Sequence, residues 1–470
     1  MKNSTCSTQL GFSAIIGMAL ALATPGLYAQ SASASAASCP TQNWATKVLP
    51  TFNQATAQVP TAAPQSFCEF HQTTYESFVW ATTMINGAPR FLSLKTSDQL
   101  VTAIPSIKKT GGVTLNLASR NFAPKSGKSE GAGAIVEADG NMLVGPNGYP
   151  IYASVHMNDS YFNTAKNNLI VNGGYQKNTD NFKVGAAVFK ATWLRLGNGV
   201  NAPVGSFTTK ANVPVLVNKN GVVQPDGDKT VVVDVALLGL HVVELTKEHP
   251  EFLWGTFEHK LNAPMLPDGT FSTGGSSPNN FTLYKAGTLF GQSNIANLSN
   301  SNPPKISGTS FDAYTQIFSP TMNVVLNNAT GGDPSGTIPL VNTAGQQYLA
   351  GQSSVFANYV MIGTVWFAPN AFVMPAAQNM GAEQGVGSVN LANSTAETFV
   401  QMPQNSFGQT VNNCFSCHNT NSYTFQPTPL TARLIATSHV LPQGAAAMYT
   451  VPNQVRLPLT PLTAAAAAKK

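Results

Sequence analysis

The sequence predicts an α+β fold with a strand-dominated body and peripheral helices. Two stretches near the start have helical periodicity, and most of the chain beyond them consists of β-branched runs separated by Gly, Asn and Pro. Hydrophobic residues make up 43% of the 470 residues, which is enough for a sizeable core. Charged residues make up only 10%, well below the roughly 25% of an average soluble domain. Such a composition favours an exported, β-rich protein.

The helical periodicity predicts helices over residues 41–57 and 69–85. In the second helix, Phe70, Thr74 and Phe78 recur at helical spacing, and the following Asn-Gly pair is expected to end it. Strands are predicted where apolar residues alternate or β-branched residues cluster, over residues 187–196, 230–243, 252–257, 281–284 and 359–367.

The N-terminus predicts a signal peptide over residues 1–29. A positive residue, Lys2, precedes an apolar run over 12–23, and Pro25-Gly26 leads to a cleavage site after Ala29. The run is shorter than the roughly 20 residues of a membrane span, although an uncleaved anchor is the alternative. We therefore expect a periplasmic or secreted protein with no transmembrane segment in the mature chain.

The cysteines fit an oxidising compartment. Cys6 leaves with the signal peptide, and Cys414 and Cys417 lie close together near the C-terminus. Cys39 and Cys68 are then natural partners for a disulfide, which is expected to stabilise the fold by about 3–4 kcal/mol. Two unpaired buried thiols are the alternative.

Residues Cys414-Phe415-Ser416-Cys417-His418 match the C-x-x-C-H signature of c-type haem attachment. The two cysteines are spaced to bond the two vinyl groups of one porphyrin, and His418 is placed to ligate the iron. The motif therefore predicts one covalently bound haem c in a C-terminal haem-bearing segment. A thioredoxin-like redox pair, half of a zinc site and a simple disulfide are alternatives. The missing βαβ context disfavours a thioredoxin-like pair, and the missing second ligand pair disfavours a zinc site. The short loop disfavours a simple disulfide.

The second axial position of the iron is left open by the sequence. Distal candidates are Met448, His439, His259 and His241, and an open site is a further alternative. A distal methionine favours electron transfer, whereas an open site permits chemistry with peroxide or gases.

The haem-bearing segment is expected to span residues 381–470, after a β-rich body over 30–380. A capping box at residues 394–397 predicts a short helix through Gln401. Only 52 residues follow His418, so the body is expected to supply part of the haem pocket. The stretch 241–259, with Trp254 and its aromatic neighbours, is a candidate wall. The alternative is that its aromatic residues are core and its histidines make local hydrogen bonds.

Three segments resemble a group of uncharacterised exported bacterial cytochrome c-like proteins with a single CxxCH motif near the C-terminus. The segments are residues 235–264, 391–401 and 413–419. The resemblance implies haem attachment at Cys414 and Cys417 with iron on His418. It implies no substrate.

The sequence favours single-electron transfer as the function, with a redox partner protein or a small-molecule electron donor or acceptor. The alternatives are a haem-dependent, peroxidase-like oxidoreductase with an open iron site and a haem-based sensor or binding protein. The formal net charge of +5 is spread singly along the chain, which argues against a nucleic-acid partner. No convincing hydrolase, P-loop or dinucleotide motif is present.

Overall fold

One large, mostly antiparallel β-sheet organises the chain. The computed structural model describes residues 39–96, 99, 115–117, 142–168, 182–249, 251–266, 274–295, 298–299, 305–306, 309–326, 335–367, 385–388, 391–401, 414–417 and 455–456. The predicted signal peptide, His418, His439 and Met448 lie outside these residues. Within these ranges, no helix combines the length and the apolar character needed to cross a bilayer.

Seven strands form the part of the sheet that carries the site. They are β1 (Tyr152–Met157), β2 (Ala187–Arg195), β3 (Thr208–Lys219), β4 (Val222–Glu244), β5 (Leu253–His259), β6 (Tyr359–Phe367) and β7 (Gly385–Gly387). The order β1-β2-β4-β5-β6-β7 is antiparallel throughout. The central strand, β4, has 23 residues. Its first part pairs with β3, and its last part lies between β2 and β5.

Short strands extend this sheet or form small hairpins. They are Met84–Ile85, Ala88–Pro89, Lys95–Thr96, Leu115–Asn116, Leu298–Ser299, Lys305–Ile306, Ser310–Asp312, Ile317–Ser319 and Val455–Arg456. Short 3-10 helices occur at Arg90–Ser93, Phe290–Gln292, Val355–Asn358 and Thr398–Gln401.

The α-helices are α1 (Thr41–Asn43), α2 (Leu49–Phe52), α3 (Phe67–Thr82), α4 (Asp159–Asn168), α5 (Ile338–Gly351) and α6 (Cys414–Cys417), and a π-helix at Trp44–Val48 joins α1 to α2. The Ser66 side chain caps α3 by accepting from the Glu69 amide. Fourteen of the sixteen residues of α3 are buried. The sequence predicts peripheral helices, and α3 departs from that expectation because the sheet and α5 both pack against it.

The helix face is the face of the sheet that α3 covers, and it carries Phe257 and Glu244. Phe78 of α3 stacks on Phe257 with ring centroids 4.0 Å apart. The Ser77 hydroxyl donates to the Glu244 carboxyl group. Side chains alternate between the two faces of a strand. Gly239, His241 and Val243 of β4 therefore lie on the opposite face.

That opposite face, which we call the motif face, has three zones. An apolar zone at one end includes Leu194 and Leu238. A second apolar zone at the other end includes Val243 and Trp254. Polar residues of β2, β4 and β5 separate the two zones: Lys190, Thr192, His241, Thr256 and Glu258.

The structure confirms the strand-dominated α+β body and contains the predicted disulfide. Cys39 and Cys68 are bonded to each other, with Cα atoms 5.4 Å apart. The bond links the chain just before α1 to the first turn of α3. Strand β6 has the predicted bounds, whereas β4 begins eight residues before the predicted start.

Three local predictions are wrong. The helix predicted over residues 41–57 ends at Phe52. Residues 281–284 do not form a strand, because Phe281 and Tyr284 hydrogen-bond to each other across a tight turn. Helix α3 ends at Thr82, not at residue 85. Asn86 and Gly87 both have positive φ and turn a two-residue hairpin, the structure that an Asn-Gly pair favours.

Candidate haem-attachment site

The C-x-x-C-H motif begins on one turn of α-helix, α6, that packs on the motif face. Phe415 is fully buried. Its ring stacks on Phe367 of β6 with centroids 4.1 Å apart and meets Trp254 of β5 edge-on at 6.5 Å. The motif is therefore anchored to the body through the aromatic residue between its cysteines.

The surroundings of Phe415 form an apolar cluster contributed mainly by the body. Its buried members are Val155, Met157, Tyr161, Phe162, Ala165, Phe182, Ala186, Val188, Val243, Leu245, Phe252, Trp254, Val365, Phe367, Leu391 and Phe415. Cys414 and Ile362 are partly buried and pack against this cluster. Cys414 thus lies at the edge of an aromatic and aliphatic wall.

A segment over residues 391–401, which we call the strap, crosses the motif face beside the motif. Leu391 belongs to the apolar cluster around Phe415, and Phe399 belongs to the apolar zone at the other end. Between them, Asn393 Nδ2 donates to Thr256 Oγ1 at 2.8 Å. A Cβ atom at Gly239 would lie 2.8 Å from Asn393 Nδ2. A glycine at this position therefore allows the strap to contact β4.

Asn393, rather than Ser394, caps the turn of the strap. Glu397 Oε2 accepts from the Asn393 amide at 3.1 Å, and Asn393 Oδ1 accepts from the Thr395 amide at 2.9 Å. The predicted capping box is therefore displaced by one residue, because the Ser394 amide donates to the Glu258 carboxyl group instead. The helix that follows is a 3-10 turn at Thr398–Gln401.

Glu397 brings a carboxylate to two basic side chains of the sheet. His241 Nε2 lies 3.1 Å from the Glu397 carboxylate, and Lys190 Nζ lies 3.4 Å from it. The side chains of His241, Lys190 and Glu397 are 8%, 14% and 23% exposed. Burial alone would raise the pKa of Glu397, but the charges of His241 and Lys190 outweigh it and lower that pKa to about 2.

A second carboxyl group, Glu258, lies in the same polar zone. It accepts from the Ser394 amide at 2.7 Å and from the Ser394 hydroxyl. Burial raises the pKa of Glu258, and the hydrogen bonds from Ser394 and the charge of His241 offset that rise only in part. The two carboxyl groups of this zone therefore have pKa values displaced in opposite directions, a feature often found at functional sites.

The polar zone and the motif are neighbours on one surface. His241 and Val243 lie two residues apart on the same face of β4, a separation of about 7 Å along the strand. Val243 belongs to the cluster that buries Phe415. The motif face thus offers an apolar wall and, beside it, a nearly buried group of ionisable side chains.

The sheet separates two of the predicted distal candidates. His241 lies on the motif face, with its Nε2 atom directed at Glu397. His259 shares the helix face with Phe257, and its ring meets Tyr359 edge-on at 5.2 Å. Burial lowers the pKa of His259 to about 4, and the charge of Lys260 adds to the shift. Met448 and His439 lie outside the described residues.

The residues around the motif fit a haem. The backbone of α6 places positions 414 and 417 on one side of a helical turn, and Cys414 borders an apolar wall of the kind that a porphyrin requires. Among the residues the structure describes, no group of three His, Cys, Asp or Glu side chains could hold a metal ion. His418 lies outside them and stays the predicted iron ligand.

Sequence reasoning missed Lys190 and Glu397 as members of the site. They are separated by 207 positions in the chain, so no local pattern links them. The sequence marked Glu397 only as the last residue of a predicted capping box. Compared with models of protein families, with curated proteins and with solved structures, the chain gives no significant match.

Proposed function

We propose that this chain is an exported c-type haem protein that transfers single electrons. The observation that carries the proposal is the placement of the C-x-x-C-H motif, whose first turn is anchored in the apolar cluster of the motif face by the buried Phe415. A haem-attachment motif that is part of a folded core has a fixed position relative to the body. Such a position suits a cofactor that exchanges electrons with a redox partner protein or a small-molecule donor or acceptor.

In this proposal, Cys414 and Cys417 hold the haem through thioether bonds and His418 ligates its iron. The haem supplies a reversible change between ferric and ferrous iron. The body contributes the apolar wall, in which Trp254 and Phe367 exclude water from one side of the motif. Low polarity around a haem is one of the factors that set its reduction potential.

The first test is the mass of the mature protein, exported from a host that has the haem-attachment machinery. We expect an added mass of one haem and the loss of residues 1–29. The reduced pyridine complex should have the absorption of a haem with both vinyl groups saturated. Cys414→Ser and Cys417→Ser should each retain only one thioether bond and shift that absorption.

Ser416→Ala is the matched control, since it changes the same turn without removing a sulfur atom. It should carry haem as the wild-type protein does. An exported wild-type chain with no added mass, produced beside a known cytochrome c that does acquire haem, would contradict the proposal.

A haem-dependent oxidoreductase is a second candidate, and the polar zone favours it. A nearly buried Lys190–Glu397–His241 group beside the motif is the kind of feature that supplies protons and charge in catalytic sites. The binding of carbon monoxide to the reduced protein separates the candidates. Slow or absent binding supports the electron carrier, whereas prompt binding together with turnover of peroxide supports the oxidoreductase.

A further inference from the structure

Phe415 connects the first turn of the C-x-x-C-H motif to the body. Within the part of α6 whose side chains are described, Phe415 is fully buried and Cys414 only partly. Phe415 is held between a stacked ring, Phe367, and an edge-on ring, Trp254. Aromatic pairs of this kind contribute about 0.5–1.5 kcal/mol each beyond the burial of their area.

The two partners of Phe415 are themselves rigidly held. Phe367 and Trp254 lie on adjacent strands, β6 and β5, which are joined by backbone hydrogen bonds as far as the pair Val365 and Trp254. The Phe367 amide also donates to the buried Glu251 carboxylate at 3.2 Å. The position of Phe415 is therefore fixed by the central sheet.

The position of Cys414 follows from that of Phe415. Adjacent residues of a helical turn are about 100° apart around the helix axis, so a fixed Phe415 leaves Cys414 little freedom to rotate. Cys414 accordingly packs at the edge of the cluster and is only partly buried.

We infer that Phe415 is a positioning residue for the haem: by inserting between Phe367 and Trp254, it holds the attachment turn, and with it Cys414, against the apolar wall of the body. This inference rests on the proposed function, because it assigns to the body the orientation and the solvent shielding of the bound haem. Removal of the Phe415 ring frees the turn and admits water. Water favours the more highly charged ferric state and lowers the reduction potential.

The test compares wild-type protein, Phe415→Ala, Phe415→Leu and the neighbouring Ser416→Ala, all exported and loaded with haem. Mass analysis first establishes that haem is attached, and redox titration and circular dichroism in the Soret band follow. We expect Phe415→Ala to lower the reduction potential and weaken the Soret signal. Phe415→Leu should restore part of both, and Ser416→Ala should match the wild type.

A double-mutant cycle assigns the effect to the contact itself. Phe367→Ala should shift the potential in the same direction as Phe415→Ala. The double variant should shift it by much less than the sum of the two, because both changes remove the same ring pair. Additive shifts would overturn the inference.

The remaining outcomes are also decisive. Haem-loaded Phe415→Ala with the potential and Soret signal of Ser416→Ala would overturn the inference and leave the proposed function intact. Wild-type protein without haem would overturn the proposed function itself. If Phe415→Ala loses its far-ultraviolet circular dichroism signal, it is not folded and Phe415→Leu takes its place. A reduction potential and Soret signal of Phe415→Leu equal to those of Ser416→Ala would then overturn the inference.

Discussion

At the scale of single residues, the motif face depends on a few buried ionisable groups whose pKa values are displaced by their neighbours. Glu397 stays charged because His241 and Lys190 lie within 3.4 Å of it. Glu76 of α3 is the opposite case: burial raises its pKa to about 7, and a hydrogen bond from Trp44 Nε1 at 2.8 Å only limits the rise. The two carboxyl groups therefore predict opposite effects of pH on stability.

Replacing Glu397 by Gln is expected to lower the free energy of unfolding by about 2 kcal/mol at pH 7, since charged hydrogen bonds to His241 and Lys190 are lost. The folded pKa lies below the unfolded value, so this contribution is present above about pH 4.3 and is lost as the pH falls towards 2. Urea unfolding of the wild-type protein and of Glu397→Gln measures this contribution, which should be smaller at pH 3 than at pH 7.

The control for this variant is Asp234→Asn. Asp234 forms an exposed ion pair with Lys210 at 2.9 Å, and we expect its loss to cost less than about 0.5 kcal/mol. Equal losses of unfolding free energy in Glu397→Gln and Asp234→Asn at pH 7 would contradict this prediction. They would show that the nearly buried Lys190–Glu397–His241 group stabilises the fold no more than an exposed ion pair does.

Replacing Glu76 by Gln is expected to stabilise the protein above pH 7 and to leave it unchanged near pH 4. The folded pKa is raised, so the wild-type protein loses stability as the pH rises from about 4.5 through 7. The gain at pH 8 should be about 3 kcal/mol. The Gln side chain can still accept from Trp44.

Thermal unfolding at pH 4 and pH 8 measures the effect of Glu76→Gln. Glu248→Gln, the same change at an exposed position, should shift the midpoint at neither pH. A gain for Glu76→Gln that is as large at pH 4 as at pH 8 would exclude a titration as its cause.

At the scale of elements, local patterns predicted strands better than they predicted contacts. Strand β6 was predictable to the residue because its apolar run is bounded by turn residues. The start of β4 was missed because polar residues such as Gln224 and Asp226 interrupt its first part, where the strand is held by pairing with β3. The pairing of His241 with Glu397 spans 156 positions, and nothing local to either residue encodes it.

The packing of α3 on the sheet requires Gly255. A Cβ atom at this position would overlap Cγ2 of Thr74, so α3 can lie this close to β5 only where the strand has no side chain. Gly255→Ala is expected to cost about 1–3 kcal/mol, the usual effect of overpacking. Urea unfolding measures the loss.

Thr74→Ser is the compensating variant for this prediction, because it removes Cγ2 and keeps the hydroxyl group. The double variant Gly255→Ala with Thr74→Ser should recover much of the stability lost in Gly255→Ala, which gives a favourable coupling energy. Strictly additive losses would show that the two positions are not in contact.

At the scale of the whole molecule, buried carboxyl groups and buried histidines have opposite effects on the pH dependence of folding. Burial raises the pKa of Glu76, Glu244 and Glu258. It lowers the pKa of His156 to about 3 and that of His259 to about 4. The buried carboxyl groups thus favour folding at low pH, and the buried histidines favour it at higher pH.

These opposing groups predict a broad maximum of stability at about pH 5. Between about pH 4.5 and 6.5, folding adds protons to three carboxyl groups and removes them from two histidines, so the effects largely offset each other and stability falls only gently as the pH rises. Above this window, the unfolded histidines are already neutral and the carboxyl groups dominate, so stability should fall more steeply as the pH rises towards about 8.5. Below it, stability should fall because the buried histidines resist protonation and Glu397 loses its charge.

Urea unfolding between pH 3 and pH 9, with the Cys39–Cys68 disulfide intact, measures this profile. Glu76→Gln should move the stability maximum to higher pH, because it removes a loss that grows from about pH 4.5 to 7. His156→Gln should move the maximum to lower pH, because it removes a loss that grows as the pH falls from about 6.5 to 3. A stability maximum at pH 8 or above would mean that Glu76, Glu244 and Glu258 are not buried in the folded protein. The packing of α3 on the helix face and of the strap on the motif face would then be wrong.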